Sequence, residues 1–312
     1  MCQPQFIRAS LVLMLSLCVS PTLLRGDESN LDAKRTMDVV YGRRDGIALT
    51  MDVFSPEKPN GAAIIQVISG GYYASHDDIQ PALFQPLLKR GYTVFAVVPG
   101  SRPVYQVPEI RANLSRAIRY IRYHAKEYSI DPKRLGITGS SAGGNLSLQI
   151  ATANEQSHSE SKDPIDRESS RVQAAAVFFP LTDFLNWSKP GEEHIGTTGH
   201  PTPFRAAFDY REMIPETGLE ERITDPTRLR EITREISPIY ALSSDDPPML
   251  LMHGDKDFFV PMYQSKIFME AAKATGVETN LLIKSGGQHG WPDMQKDMEQ
   301  FADWFDLHLK AK

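Results

Sequence analysis

The sequence has 312 residues, of which 41% are hydrophobic and 23% are charged, and its formal net charge is −5 at pH 7. This length is enough for one large domain or two small ones, with apolar residues sufficient for a sizeable core. Charges of both signs are interspersed, so neither nucleic acid nor an anionic membrane surface is indicated as a partner.

Residues 1–26 have the pattern of an export signal. Arg8 supplies positive charge, and the apolar run Ala9–Val19 that follows it is too short to span a bilayer. We expect residues 1–26 to be a signal peptide and the mature chain to be periplasmic or extracellular. No stable membrane insertion is expected after cleavage, and the alternative is an uncleaved membrane anchor. Both cysteines, Cys2 and Cys18, lie in this segment, so no disulfide is expected beyond it.

The chain then alternates between strand and helix patterns. A hairpin is predicted around Arg44-Asp45-Gly46. Helical spacing of apolar residues predicts helices over Pro108–Tyr128, 142–152, 262–275 and 292–309. Nearly continuous apolar runs predict strands buried on both faces, as in a parallel sheet. These runs are Ala62–Ser69, Thr93–Val98, Arg134–Thr138, Ala174–Phe179, Pro248–His253 and Thr279–Lys284.

The alternation of strands and helices predicts one α/β domain over residues 27–312, with a mostly parallel central sheet flanked by helices. Residues 154–171 are polar and are interpreted as a surface loop. Residues 184–240 are interpreted as an irregular, cap-like insertion over the carboxyl edge of the sheet. A separate domain is not expected there, because the segment has too few apolar residues for its own core.

The stretch "LGITGSSAGGNLSLQI" matches Gly-x-Ser-x-Gly in one register, with Ser141 between Gly139 and Gly143. A predicted strand precedes the turn and a predicted helix follows it. A serine on so sharp a turn projects from the edge of the sheet, and the flanking glycines relieve the crowding. Ser141 is therefore the candidate nucleophile, and the alternative is a plain turn of small residues.

A serine nucleophile needs a base and an orienting carboxylate, in the chain order Ser, Asp or Glu, His. Asp255 and Asp257 follow a predicted buried strand, and His289 lies in the glycine-rich loop "SGGQHG" after the next strand. His289 is the candidate base, and either aspartate fits the acid. The alternation of His253, Asp255 and Asp257 leaves metal-dependent hydrolysis as an alternative, although no further ligand cluster completes such a site. No metal and no cofactor are expected.

An oxyanion hole requires two preorganised N–H donors. The amide of Ala142 follows the nucleophile, and the glycines of "QVISGGYYAS" let the amides of Gly71 or Tyr72 turn inward. A plain Gly-Gly turn is the alternative. Tyr73, Phe258 and Trp291 adjoin these loops and are candidate substrate-binding residues, with plain packing as the alternative.

These motifs together resemble the α/β-hydrolase superfamily, in particular its esterase/lipase branch, which includes hormone-sensitive-lipase-like and feruloyl- or acetylxylan-esterase-like enzymes. The resemblance covers roughly Val39 to Leu309 and is carried by "GSSAGG", "HGDKDFFVP" and "GGQHGW". In that family the acid lies three residues after the glycine of the His-Gly pair, which selects Asp257. One departure is "SGGYY" in place of His-Gly-Gly-Gly, with Ser69 for the histidine and Tyr72 for the third glycine.

The resemblance implies a secreted serine carboxylic-ester hydrolase with a Ser141–His289–Asp257 triad. Its substrates would be small acyl esters, such as acetyl or feruloyl groups on polysaccharides, which is an expectation from fold-level analogy. The prolyl-oligopeptidase branch shares the "HGDKD…VP" acid loop, so a serine peptidase is an alternative. A non-catalytic binding protein on a hydrolase fold is another, although such proteins usually lose a triad residue and none is missing here.

Overall fold

The computed structural model describes residues 33–153, 158–193 and 204–310. The predicted signal peptide, residues 1–26, lies outside the described residues. No helix within the described ranges is long and apolar enough to cross a membrane.

Eight strands of the described residues form the central sheet, namely β1 Ala33–Arg44, β2 Ile47–Pro56, β3 Ala63–Val67, β4 Thr93–Val98, β5 Leu135–Ser140, β6 Ala174–Phe178, β9 Met249–Gly254 and β10 Thr279–Lys284. Their spatial order in the sheet is β1-β2-β4-β3-β5-β6-β9-β10. The first two strands make an antiparallel hairpin, β2 pairs antiparallel with β4, and every later pair is parallel. The predicted, mostly parallel sheet is therefore confirmed. A separate two-stranded sheet contains β7 Arg211–Met213 and β8 Glu220–Arg222.

Helices cover both faces of the sheet, because strand side chains alternate between two buried clusters. The helices of the described residues are α1 Pro81–Lys89, α2 Val107–Tyr123, α3 Ala142–Ala151, α4 Pro226–Glu235, α5 Tyr263–Ala274 and α6 Met294–Leu309. On one face of the sheet, Ile65 and Phe95 pack with apolar residues of α2, α3 and α5. On the other face, Ile64 and Val94 pack with apolar residues of α1 and α6.

Within residues 204–240, the segment interpreted as irregular is more regular than predicted, and that part of the prediction was wrong. It contains the hairpin of β7 and β8 and the helix α4. The helix has few apolar residues, which hid its periodicity, but Asp225 caps its first turn and Pro226 occupies the first helical position. Ile232 and Ile236 of this region are buried in the same apolar cluster as the main sheet.

Two other helices differ clearly from the predictions. The second helix ends at Tyr123, five residues before the predicted end at Tyr128, and the chain continues in turns. Helix α1 was not predicted, since its nine residues carry two prolines and so lack a clear helical pattern.

Candidate active site

The candidate site lies at one edge of the sheet. Strands β3, β5, β6, β9 and β10 are neighbours and run parallel, so the loops that follow them leave the sheet at the same carboxyl edge. Those loops carry the oxyanion-loop glycines, Ser141, Phe179, Asp257 and His289 in turn.

Ser141 occupies a strained turn between β5 and α3. Its backbone has φ 54° and ψ −120°, a region that non-glycine residues rarely adopt. Its amide donates to the carbonyl oxygen of Phe178 at 3.0 Å. A Cβ on Gly139 would lie 2.6 Å from the backbone of Gly143, and a Cβ on Gly143 would lie 2.8 Å from the carbonyl oxygen of Val67, so the turn needs glycine at both positions. The surrounding backbone thus holds the half-buried serine in its strained conformation.

The structure brings the three predicted triad residues together. His289 Nε2 lies 2.9 Å from Ser141 Oγ, and His289 Nδ1 lies 2.8 Å from Asp257 Oδ2. A carboxylate only accepts hydrogen bonds, so Nδ1 carries the proton and a neutral ring leaves Nε2 to accept from the serine hydroxyl. This tautomer is the one that general-base activation of a serine requires.

The side chain of Asp257 is completely buried and yet charged. Its Oδ1 accepts the amides of Phe259 and Val260 at 2.9 Å each, and its Oδ2 faces both His289 and His253. Burial acts to raise the pKa of the Asp257 carboxyl, but the hydrogen bonds from the two histidines outweigh it and hold the pKa well below its ordinary value. The acid therefore stays ionised beside the imidazole.

His253 is a second partner of Asp257 that the sequence analysis did not assign. Its ring is fully buried, with Nδ1 2.7 Å from Ser265 Oγ and Nε2 2.9 Å from the Val260 carbonyl and 3.3 Å from Asp257 Oδ2. Asp255 instead accepts the Gly286 amide at 2.8 Å, so these three side chains do not converge as metal ligands. In the sequence, His253 could have been recognised as the histidine of the His-Gly pair that precedes the loop carrying Asp257.

The three predicted oxyanion donors have free amides in the part of the chain that the structure describes. The N–H groups of Ala142, Gly71 and Tyr72 make no hydrogen bond there, whereas the neighbouring amides of Gly70 and Gly143 donate to carbonyl oxygens. Free amides beside a nucleophile are the groups that can receive a developing oxyanion.

Segment 204–240 contacts the loop that carries two of these amides. A Cβ on Gly71 would collide with the ring of Phe204. The ring of Tyr72 packs edge-on against Phe208 at 5.3 Å, and its buried hydroxyl donates to Asn145 Oδ1 at 3.0 Å. Side-chain packing from the segment and a hydrogen bond to α3 therefore hold the loop from two directions.

The three candidate substrate-binding aromatics lie in different surroundings. Tyr73 is 50% exposed and Phe258 71% exposed, and Phe258 packs on Phe259, whose ring lies 5.5 Å from that of His289. Trp291 instead donates from its indole to Asp297 Oδ2 at 2.5 Å and packs its ring near Phe178 and Phe179. The contacts of Trp291 are those of a residue that anchors the His289 loop.

Two further residues at the site had no motif in the sequence. Phe179 packs its buried ring 4.5 Å from His289, and Arg102 donates from Nε to the Gly71 carbonyl oxygen at 2.9 Å. Phe179 follows β6, and Arg102 lies in the loop after β4. Their positions after strands of the parallel sheet are the sequence signal from which they could have been identified.

The BD-FAE family matches residues 51–272 of this chain, a stretch that includes the nucleophile turn and the acid loop and ends before His289. The chain belongs to the BD-FAE family. Among solved structures, this BD-FAE chain is similar to a truncated carbohydrate esterase from gut microbiota, with 25% sequence identity and a TM-score of 0.70. The match covers 88% of this chain and 96% of the esterase chain. This chain is also similar to a Thermogutta terrifontis esterase, with 26% identity, a TM-score of 0.63 and coverage of 88% and 92%. The predicted α/β-hydrolase fold is thereby confirmed.

The BD-FAE chain also has curated relatives that are named esterases. It is 28% identical to the probable carboxylic ester hydrolase LipM of Mycobacterium tuberculosis, over 75% of this chain and 50% of that protein. It is 25% identical to an acetylxylan esterase of Xylanibacter ruminicola, over 83% of this chain and 45% of that protein. The chain spans about half the length of the curated relatives it matches.

Proposed function

We propose that this protein is a serine carboxylic-ester hydrolase that works through an acyl-enzyme on Ser141. The observation that carries the proposal is the unbroken hydrogen-bonded chain from Ser141 through His289 to Asp257, with distances of 2.9 and 2.8 Å. Membership of the BD-FAE family and likeness to proteins named esterases support it.

In the first half-reaction, Ser141 Oγ attacks the ester carbonyl carbon while its proton moves to His289 Nε2. The carbonyl oxygen becomes an oxyanion at the amides of Ala142 and of Gly71 or Tyr72. The imidazolium is stabilised by the ionised Asp257. It then returns the proton to the oxygen of the leaving alcohol as the ester C–O bond breaks, which leaves the acyl group on Ser141.

In the second half-reaction, water takes the place of the alcohol. His289 Nε2 accepts a proton from that water, whose oxygen attacks the acyl carbon and forms a second oxyanion in the same hole. The proton then returns to Ser141 Oγ as the acyl–enzyme bond breaks. The products are a carboxylic acid and the free enzyme, so the cycle needs no other reactant.

Small acyl esters, such as acetyl or feruloyl groups on polysaccharides, are the proposed substrates. The names of two relatives support this class, an acetylxylan esterase and a carbohydrate esterase. The exposed rings of Tyr73 and Phe258 offer apolar surface close to the catalytic loops, where an aromatic acyl group or a sugar ring can pack. Export to the periplasm or medium is part of the proposal and is supported by the pattern of residues 1–26.

A serine peptidase is the second candidate, because one relative is a Bacillus subtilis protein named as an uncharacterized peptidase. Its sequence is 23% identical to this chain, and the match covers 87% of this chain. The two activities share the acyl-enzyme chemistry and differ in the leaving group, an alcohol or an amine. A comparison of matched ester and anilide substrates therefore separates them.

The test measures hydrolysis of p-nitrophenyl acetate and butyrate, acetate release from acetylated xylan, and cleavage of alanine p-nitroanilide, with and without chelator. Ser141→Ala should lower kcat/KM by about 10⁴- to 10⁶-fold. Ser140→Ala, the matched control one residue away, should stay within about threefold of the parent. Ester turnover equal in the Ser141 variant, or abolished by chelator, would overturn the proposal, and anilide cleavage faster than ester cleavage would favour the peptidase.

A further inference from the structure

The direction of an oxyanion-hole amide is set by the carbonyl that shares its peptide bond. In a trans peptide the N–H and the C=O point in opposite directions. The peptide that carries the Tyr72 N–H also carries the Gly71 carbonyl. Whatever binds the Gly71 carbonyl oxygen therefore decides where the Tyr72 amide points.

Arg102 binds that carbonyl oxygen. Its Nε donates to Gly71 O at 2.9 Å, and its own backbone N–H donates to Tyr72 O, also at 2.9 Å. One residue thus binds two successive peptides of the loop, and in the first of them the carbonyl that it holds points away from the free Tyr72 amide. The preceding peptide is fixed separately, because Gly70 O accepts the Tyr73 amide at 2.9 Å.

The backbone of this loop needs such support. Gly71 has φ 54° and Tyr72 has φ 61°, and the left-handed region is unfavourable for a non-glycine residue such as Tyr72. Without its partners, the Tyr72 peptide has a lower-energy orientation available to it. A loop that rotates in this way turns its amide out of the oxyanion hole.

The guanidinium of Arg102 is itself held in place. It lies over the ring of Phe204, 5.5 Å from the centroid, and the same ring covers Gly71. Within the described residues Arg102 forms no ion pair with a carboxylate, so no salt bridge competes with its hydrogen bond to the Gly71 carbonyl. A charged donor polarises that peptide and strengthens its N–H as a hydrogen-bond donor.

We propose that Arg102 is a positioning residue for the oxyanion hole, which it serves by holding the Gly71 carbonyl so that the Tyr72 amide faces the reacting carbon on Ser141. This inference rests on the proposed function. It predicts that loss of Arg102 weakens binding of the transition state and leaves binding of the ground-state ester nearly unchanged.

The test compares Arg102→Ala and Arg102→Lys with the parent full chain on p-nitrophenyl acetate. Removing one oxyanion donor costs about 10²- to 10³-fold in kcat, and because Arg102 acts through the loop we expect a loss of about 10- to 100-fold in kcat, with KM within about threefold. The affinity for a trifluoromethyl ketone, whose serine adduct carries an oxyanion, should fall in parallel with kcat. Added guanidinium at sub-denaturing concentration should restore part of the kcat of Arg102→Ala.

Arg234→Ala is the matched control, because Arg234 also stacks on an aromatic ring, that of Tyr240 at 4.1 Å, in the segment 184–240. It should stay within about twofold of the parent in kcat and ketone affinity. If Arg102→Ala does not fold, Arg102→Lys gives the same comparison, since it keeps the charge and the aliphatic stem.

An unchanged kcat in both Arg102 variants, a rise in KM alone, or a loss of kcat with unchanged ketone affinity would overturn the inference. In each of those outcomes the parent is still active and still depends on Ser141, so only the role of Arg102 fails. A parent that neither hydrolyses esters nor binds the ketone would overturn the proposed function, and the inference with it.

Discussion

The two sides of the candidate site are built in different ways. On the acid–base side, His289 and Asp257 are side chains on the loops after β10 and β9, and His289 is hydrogen-bonded directly to both Asp257 and Ser141. On the oxyanion side the functional groups are backbone amides, and their directions depend on Arg102 and Phe204, which lie far from the loop in sequence.

This difference predicts different responses to mutation. A substitution on the acid–base side can remove the reacting group itself, so the loss is chemical and large. An amide on the oxyanion side cannot be removed by substitution, so it can only be turned away by changing what holds it. The losses there should be smaller and should depend on packing.

Asp257→Asn should produce the largest effect in this comparison. An amide at this position no longer stabilises the imidazolium and favours the wrong tautomer of His289, so we expect kcat to fall about 10⁴-fold. Asp255→Asn is the matched control, since Asp255 accepts the Gly286 amide and not a histidine, and it should stay within about threefold of the parent. Steady-state kinetics on p-nitrophenyl acetate measure both, and equal losses in the two variants would contradict the assignment of Asp257.

Gly71→Ala should come next. The new Cβ collides with the Phe204 ring, and the position has φ 54°, so the loop must shift and kcat should fall about 10²- to 10³-fold, as for loss of an oxyanion donor. In the same loop, Gly70→Ala meets no atom within 4 Å and should be tolerated. If adding Phe204→Ala to Gly71→Ala restores no activity, the collision is not the cause of the loss.

Tyr72→Phe should have a smaller effect. Burial raises the pKa of Tyr72, so its hydroxyl stays protonated and donates to Asn145 Oδ1 at 3.0 Å. Loss of this bond should lower the free energy of unfolding by about 1 kcal/mol. Tyr73→Phe, at a half-exposed ring, is the control and should not change it. Urea unfolding measures both variants, and an equal stability for the two would show that the loop does not depend on this bond.

The charge on Asp257 should also make the stability of the protein depend on pH in acid. The folded pKa of Asp257 lies below its ordinary value, so its contribution to stability is complete above pH of about 4, the unfolded value, and is lost as the pH falls through the folded pKa. The difference in unfolding free energy between the parent and Asp257→Asn should therefore shrink towards low pH. A difference that grows on acidification would contradict the ionised, hydrogen-bonded state of this carboxyl.

The sequence was most informative where the signal is local. The apolar runs Thr93–Val98 and Thr279–Lys284 coincide with β4 and β10. Such a run can be recognised from its own residues, without knowledge of what the strand packs against. Ser141 and His289 were identified in the same way, from glycines a few residues on either side. Their catalytic roles stay predictions, and the structure adds their distances.

The sequence was least informative where a contact depends on tertiary structure. Nothing near Arg102 in sequence indicates that it binds Gly71, and nothing near Phe204 indicates that it covers the same glycine. Helix α4 was missed because most of its residues face solvent, so its apolar stripe is narrow and consists of Leu229 and Ile232, with Ile236 just beyond the helix. These features follow from packing between distant segments, which a single sequence does not display.

The central claim, that Ser141 is a nucleophile activated by His289, is tested most directly by covalent labelling. The full chain would be treated with a fluorophosphonate, and the labelled residue would be located by peptide mass spectrometry in the parent and in His289→Ala. The account predicts one adduct on Ser141 in the parent, none on Ser140, and labelling slowed by orders of magnitude in the His289 variant. An adduct on another residue, no adduct at all, or equal labelling rates in the two proteins would contradict it.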